Sequence, residues 1–321
     1  LGIGRGGGGG GHASQDPPRA TPRPVTAPTP GPTLSRMSEH TATPARAGSP
    51  AWIDYSATDF AAQQALYEAL FGWTFTDSGE EFGHYRMITK DGASVGGAMD
   101  ADQMTAMTGE APAPAAWTVY LRTEDMAATL AAVREHGGTV LVDAMPVGDH
   151  GTMAMVAGPG GEAVGFWQAD TFEGHDLPLT PGTSVWFELM STRFDEAVEF
   201  YRAVAGWQPT LMGDDGAPED GHAAADAEDA AQDGPRYATD HPGEGATAGL
   251  CDATQWLPAN AVGYWRMYIA VEDTDRALEV IREHGGKVLD GPQDSPFGRV
   301  TTVQDPAGAT FQINEALPGQ E

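Results

Sequence analysis

The chain has 321 residues, enough for two ordinary domains with real hydrophobic cores. Its 17 Lys and Arg residues against 46 Asp and Glu residues give a formal net charge of −29 at pH 7. This charge repels phosphate backbones and anionic lipids, so binding to nucleic acid or to a membrane is not expected. The single cysteine, Cys251, excludes an intrachain disulfide and favours a reducing cytoplasm as the location.

The first fifty residues are predicted to be a disordered tail. They are rich in Gly and Pro and hold almost no large apolar side chain to offset the entropy of ordering. The numbering begins at Leu1, and the first methionine, Met37, is our expectation for the true start of translation. No apolar run approaches the roughly 20 residues that a membrane-spanning helix needs.

The rest of the chain contains an internal duplication. In the second half, 134 residues further along, three anchors of the first half return in the same order. These are Trp52, Tyr67 and Gly72-Trp73 in the first copy, and Trp186, Tyr201 and Gly206-Trp207 in the second. The five residues 134–138 then recur without change at 282–286. A fixed order of matching anchors predicts that one supersecondary unit is used repeatedly.

Each repeat is predicted to read strand, helix and three strands, with that unit used twice. In the first repeat, residues 51–57 alternate as a strand with Trp52 and Asp54 on one face. Thr58-Asp59 is predicted to cap a helix that Gly72 ends. The elements that follow are a hairpin at 82–89 and 93–99, a strand at 117–122, a helix containing Met126, Leu130 and Val133, and strands at 139–142, 153–157 and 163–168.

These elements predict a first domain at 51–170, a linker at 171–183 and a second domain at 184–317. The second domain has predicted helices near 193–205 and 273–284, and its closing hairpin turns at Asp305. It also contains ten acidic residues among Gly and Ala between 213 and 245. We interpret 213–245 as a solvated acidic loop, because such a composition cannot bury apolar surface.

The Trp-led strands, the apolar-Tyr pair in a helix, Gly-Trp and the late Asp305-Pro306 turn resemble the vicinal oxygen chelate superfamily. This superfamily includes glyoxalase I, bleomycin-resistance proteins and extradiol dioxygenases. Residues 51–59 and Phe71-Gly72-Trp73 look most like tandem glyoxalase-like proteins of the actinobacterial 27-kDa-antigen type. The resemblance implies an α+β fold in which paired βαβββ modules form an open curved-sheet barrel with helices on its convex face. One departure is the first closing turn, where Gly158 stands in place of the Asp.

The resemblance also implies a metal held by His and Glu on the concave face, and this chain departs from that pattern. The Glu position falls on Gly165 in the first repeat and on Gln312 in the second. The His positions fall on indole side chains, which have no lone pair to offer a metal: Trp52, Trp117, Trp186 and Trp265. The usual site is therefore predicted to be absent and no cofactor is expected, although a divalent metal on Asp54, Glu188 and Gln312 stays open.

Two functional hypotheses remain. The leading one is a cytoplasmic protein, monomer or homodimer, that binds a small molecule in one cup lined by the four tryptophans. Asp54 and Glu188 would lie near a shared axis in this cup, raise each other's pKa and orient a cationic or hydrogen-bonding ligand. The competing hypothesis is a metal-dependent lyase, isomerase or oxygenase with Asp54, Glu188 and Gln312 as ligands. A bleomycin-resistance type of sequestration would be a special case of the first, and the tryptophans could also serve packing alone.

Overall fold

A computed structural model describes residues 46–109, 111–175, 179–212, 235–295 and 297–316. The predicted N-terminal tail, up to residue 45, and most of the predicted acidic loop, 213–234, lie outside these ranges. The first half contains the following elements: β1 (Pro50–Ala57), α1 (Phe60–Phe71), β2 (Thr74–Asp77), β3 (Arg86–Lys90), β4 (Ala93–Asp100), α2 (Ala101–Thr108), β5 (Ala116–Arg122), α3 (Met126–Glu135), β6 (Thr139–Val147), β7 (Gly151–Ala157) and β8 (Ala163–Ala169).

The second half follows the same plan with one helix fewer among the described residues. Its elements are as follows: β9 (Ser184–Ser191), α4 (Phe194–Ala205), β10 (Thr210–Leu211), β11 (Tyr237–Thr239), β12 (Ala248–Asp252), β13 (Tyr264–Val271), α5 (Thr274–Glu283), β14 (Lys287–Ser295), β15 (Gly298–Gln304) and β16 (Thr310–Glu315). No described helix combines the length and the apolar character needed to cross a membrane.

Each half forms one open, curved, eight-stranded sheet, which confirms the predicted α+β class. The strand orders are β2-β3-β4-β1-β5-β8-β7-β6 and β10-β11-β12-β9-β13-β16-β15-β14, so the duplication extends to the topology. In both sheets the first strand lies at the centre. Asp54 on β1 is opposite Gly97 of parallel β4 and opposite Thr118 of antiparallel β5.

Alternation along the central strands separates two faces of each sheet. Ile53 and Tyr55 of β1 are buried in the same apolar core as Phe187 and Leu189 of β9. Because both sheets turn this face toward one shared core, the opposite faces, which carry Asp54 and Glu188, are directed away from each other. The prediction of one cup shared by the two repeats is therefore wrong, and each sheet has its own open face.

The Gly-Trp motif joins the two halves. Trp73 donates its indole N–H to the carbonyl oxygen of Gly182 at 2.7 Å, and Trp207 donates to that of Gly48 at 2.9 Å. Both glycines have positive φ, and a Cβ at Gly48 would lie 2.3 Å from the carbonyl oxygen of Ala205. The Gly-Trp motif, which identified the repeat in the sequence, thus forms a reciprocal contact. The tryptophan of each half binds the backbone just before the other half's central strand.

Local differences from the predicted elements have simple causes. Asp59 lies in the left-handed region with φ of 50° and makes no side-chain cap, so the prediction that it caps α1 by its side chain is wrong. Its amide instead donates to Asp102 at 3.0 Å. The predicted acidic loop also ends before 245, because β11 is buried and the carboxylate of Asp240 accepts from the amide of Thr247 at 2.8 Å.

Candidate functional site: two separate cups

The open face of the first sheet, here called the first cup, is centred on Asp54. Strand β1 places Trp52 and Asp54 on this face two residues apart. The indole of Trp52 donates to Asp54 Oδ1 at 3.1 Å and to the hydroxyl of Tyr85 at 2.8 Å. The hydroxyls of Tyr85 and Tyr120 also donate to Asp54. The half-buried carboxylate is therefore held by neutral donors among the described residues, none of them a cation.

The surroundings of Asp54 change its protonation equilibrium. Burial raises the pKa of Asp54, and the hydrogen bonds from Tyr85, Tyr120 and Trp52 lower it without cancelling that rise. Burial, followed by the nearby charge of Asp54, also raises the pKa values of Tyr85 and Tyr120 well above the ordinary range, so both phenols stay protonated as donors. We predicted that Asp54 and Glu188 raise each other's pKa. This prediction is wrong, because the two carboxylates lie in different sheets.

Two glycines let the tyrosines reach Asp54. A Cβ at Gly97 would lie 1.5 Å from the hydroxyl oxygen of Tyr85, and a Cβ at Gly165 would lie 2.1 Å from the ring of Tyr120. Each phenol therefore packs directly on a glycine, and a side chain in place of that glycine would collide with the phenol. Gly165 was predicted to be the place of a lost metal ligand, and the structure shows instead that it supports Tyr120.

The wall of the first cup is aromatic and apolar. Trp52 contacts Phe172 edge to face at 5.0 Å, and Trp167 donates its indole N–H to the carbonyl oxygen of Phe172 at 2.9 Å. Met153 and Met155 pack against the same cluster. The first cup therefore places an apolar, aromatic surface beside Asp54 in the described part of the chain.

The second cup, on the open face of the other sheet, repeats part of this geometry. Trp186 donates to the hydroxyl of Tyr237 at 2.9 Å, as Trp52 does to Tyr85. Tyr237 lies over Gly249, where a Cβ would be 1.8 Å from its hydroxyl oxygen. The acid differs, because Glu188 is fully buried and accepts from Arg266 Nε at 2.6 Å and from the hydroxyl of Tyr268 at 2.9 Å.

Three other residues were predicted to line the cup. Two of them lie in the core, and the third is hydrogen-bonded to a neighbouring side chain. Trp117 donates to the hydroxyl of Tyr67 and Trp265 to that of Tyr201, each at 3.0 Å, within the shared core. Their placement in a cup was wrong, because Trp117 is three residues from Tyr120 and an odd spacing along a strand puts the two side chains on opposite faces. Gln312 is buried in the second sheet, and its Oε1 accepts from the hydroxyl of Thr302 at 2.8 Å.

The donor groups of the two cups do not fit the metal that the resemblance in the sequence implies. Asp54 is the carboxylate of one cup, whereas Glu188 is already paired with Arg266 in the other. Among the residues that the structure describes, no group of three or more His, Cys, Asp or Glu side chains could hold a metal ion. The structure does not bring Asp54, Glu188 and Gln312 together, so they cannot act as three ligands of one ion.

Comparison with known proteins agrees with the fold and the duplication. The family model described as the Glyoxalase/Bleomycin resistance protein/Dioxygenase superfamily matches residues 183–313. CFP32 of Mycobacterium bovis, which has a provisional glyoxylase name, is 32% identical over 280 residues, covering 86% of this chain and 97% of that protein. The anthracycline biosynthesis protein DnrV of Streptomyces peucetius is 32% identical over 284 residues, covering 85% of this chain and 94% of its own length.

A solved structure supports the same fold at lower sequence identity. The Mn(II)-bound glyoxalase from Novosphingobium aromaticivorans aligns with a TM-score of 0.51 at 15% identity, covering 85% of this chain and 83% of that one. An identity this low shows the fold and leaves the chemistry open. The near full-length similarity to CFP32 and DnrV carries the assignment: the chain belongs to the glyoxalase/bleomycin resistance protein/dioxygenase superfamily.

Proposed function

We propose that this protein is a small-molecule-binding member of its superfamily, and that the first cup holds the ligand with Asp54 orienting it. The observation that supports this proposal is a half-buried carboxylate whose hydrogen-bond donors, among the described residues, are all neutral. Removing a carboxylate from water without a cation is unfavourable. A ligand that brings an ammonium group or a strong N–H or O–H donor to Asp54 would offset that cost.

The walls of the first cup favour an aromatic ligand. Trp52 and Trp167 are more than nine-tenths buried, yet they border the open face together with Met153 and Phe172. An indole face attracts cations as well as flat rings, which makes an aromatic cation the best complement to Trp52 and Asp54 together. The relative DnrV is named for anthracycline biosynthesis, and anthracyclines are polycyclic aromatic compounds. The lone cysteine is consistent with the cytoplasmic location that we propose. We propose a monomer or a homodimer as the assembly state.

Proton transfer is a second candidate function. Burial raises the pKa of Asp54 and so makes this carboxylate a stronger base, suited to remove a proton from a molecule bound beside the two phenols. The metal-dependent alternative has less support, because its three proposed oxygen ligands do not converge. In either form of the proposal Asp54 is the residue that touches the ligand.

A binding experiment tests whether Asp54 holds the ligand. The full chain, Asp54→Asn and the control Asp143→Asn are titrated calorimetrically with 2-naphthylmethylammonium. Asp143 is 75% exposed on β6 and makes a long ion pair with Arg134, so it matches the charge change outside the cup. We expect Asp54→Asn to weaken binding by about tenfold or more, as for a lost charge-assisted contact. Equal affinities of wild type and Asp54→Asn would contradict the proposal.

The same preparations, purified without chelator, are analysed for metal. The proposal expects no stoichiometric metal in the wild type. About one equivalent of iron, manganese, zinc or nickel that disappears in Asp54→Asn would overturn the metal-free reading and direct assays toward lyase and dioxygenase chemistry.

A further inference from the structure

The two cups carry different side chains at the position across from their central carboxylate. In the first sheet, Thr118 of β5 is opposite Asp54 of β1. In the second sheet, Arg266 of β13 is opposite Glu188 of β9. The duplicated scaffold therefore presents a lone carboxylate on one side of the molecule and a guanidinium-carboxylate pair on the other. A difference of this kind changes which ligands each cup can bind.

Arg266 uses only one edge of its guanidinium in the pair. Nε donates to Glu188 Oε2 at 2.6 Å, and Nη2 contacts the same oxygen. The contacts of Arg266 with Glu188 leave Nη1 unused, and 13% of the side chain remains exposed. Since a guanidinium carries five N–H donors in a planar fork, its outer edge keeps donors for an acceptor in the cup.

The acid of the pair is incompletely satisfied as well. Arg266 and Tyr268 both donate to Oε2 of Glu188, whereas the buried Oε1 has no hydrogen-bond partner among the described residues. Buried carboxylate oxygens usually accept hydrogen bonds, so a buried oxygen without a donor calls for an explanation. This pair keeps bonding capacity at both ends, as expected for a site that a ligand completes.

One aromatic ring lies against Arg266, whose guanidinium carbon is 5.5 Å from the ring centroid of Tyr268. Other rings lie on the same open face of the sheet. Half-buried Trp186 lies on the same face as Glu188 and donates to Tyr237, and Tyr237 packs with Trp256 in a separate apolar cluster at one side of the cup. Flat rings beside a partly exposed guanidinium suit a planar ligand with one anionic group.

We infer that the second cup binds a small aromatic carboxylate, whose oxygens accept hydrogen bonds from the outer edge of Arg266. Anion binding here depends on the local charge of Arg266, because the protein as a whole carries a net charge of −29. The inference concerns the second cup alone and does not rest on the ligand proposed for Asp54.

The test compares 2-naphthoate with its neutral isostere 2-naphthamide by calorimetric titration of the full chain. We expect 2-naphthoate to bind about tenfold more tightly than 2-naphthamide, and Arg266→Gln to remove this preference. Arg276→Gln is the matched control, because Arg276 lies exposed on α5 and the change in charge is the same. Equal affinity of the wild type for the two probes would overturn the inference.

A second variant keeps the test decisive if Arg266→Gln fails to fold, since that change leaves Glu188 buried without its cation. Glu188→Gln retains the guanidinium and removes the carboxylate that competes for it. We expect this variant to bind 2-naphthoate about threefold to tenfold more tightly than the wild type. A structural ion pair would give weaker or unchanged binding in both variants, so a folded Glu188→Gln without a gain in affinity also contradicts the inference.

Discussion

The carboxylate of Glu162 occupies the space that a side chain at Gly158 would need. A Cβ at Gly158 would lie 2.1 Å from Glu162 Oε1. In the second repeat the positions are exchanged, because Asp305 stands where Gly158 does and Ala309 stands where Glu162 does. The Asp missing from the first closing turn is therefore replaced by an acid four residues later, and the same buried carboxylate position is filled in both turns.

This replacement predicts strong coupling between positions 158 and 162. Glu162→Ala removes the acceptor of the buried Tyr201 hydroxyl, 3.4 Å away, and is expected to lower the free energy of unfolding by about 1–3 kcal/mol. Gly158→Asp alone is expected to destabilise as well, because the new side chain meets the carboxylate of Glu162. The double variant reproduces the pattern of Asp305 and should recover stability. Urea unfolding of the four proteins measures the coupling, and additive losses would contradict the prediction.

The phenol of Tyr67 links an indole and a carboxylate in the core. Its hydroxyl accepts from Trp117 Nε1 at 3.0 Å and donates to Asp305 Oδ2 at 2.9 Å. Tyr67→Phe leaves the indole N–H without its acceptor and is expected to lower the free energy of unfolding by about 1–3 kcal/mol. Tyr201→Phe is the matched variant, and its loss should be smaller because the hydroxyl of Tyr201 is 3.4 Å from Glu162. A larger loss for Tyr201→Phe in urea unfolding would show that this ranking by geometry is wrong.

Much of the fold could be predicted because its signals are local. Strand alternation and helical spacing identified the main elements of both repeats, and identical residues at 134–138 and 282–286 revealed the duplication. The short strand β2 and helix α2 were missed, since four and eight residues give little periodicity. The arrangement of the halves was also missed, because it depends on contacts such as that of Trp73 with Gly182 across 109 residues of sequence.

The candidate sites were predicted only in part. Trp52 and Asp54 share a face because they are two residues apart on one strand, and the same argument holds for Trp186 and Glu188. Trp117 was placed in the cup by matching it to a ligand position of the family. The placement failed because Trp117 is three residues from Tyr120 and therefore lies on the opposite face of the strand. Tyr85 and Arg266 were missed, since their roles depend on pairing between strands that no local pattern encodes.

The raised pKa of Asp54 predicts a pH-dependent contribution to stability. A carboxyl with a folded-state pKa above its unfolded value favours folding most below the unfolded pKa, about 4 for Asp, and this contribution is lost as pH rises through the folded pKa. The stability of Asp54→Asn relative to the wild type should therefore increase from pH 4 upward and level off once Asp54 is ionised. Urea unfolding between pH 4 and pH 8 tests this, with exposed Asp143→Asn as control. A pH-independent difference would refute the assignment of burial as the cause.

The reciprocal indole contacts predict that the two halves unfold together. Trp207→Phe keeps an aromatic ring but leaves the carbonyl oxygen of Gly48 without the indole N–H, and Trp73→Phe does the same for Gly182. Each change is expected to lower the free energy of unfolding by about 1–3 kcal/mol. Because both sheets share one core, fluorescence and circular dichroism should still follow a single transition. Trp256→Phe, a half-buried indole away from this junction, should cost less. Two separate transitions in the wild type would mean that the shared core does not couple the halves.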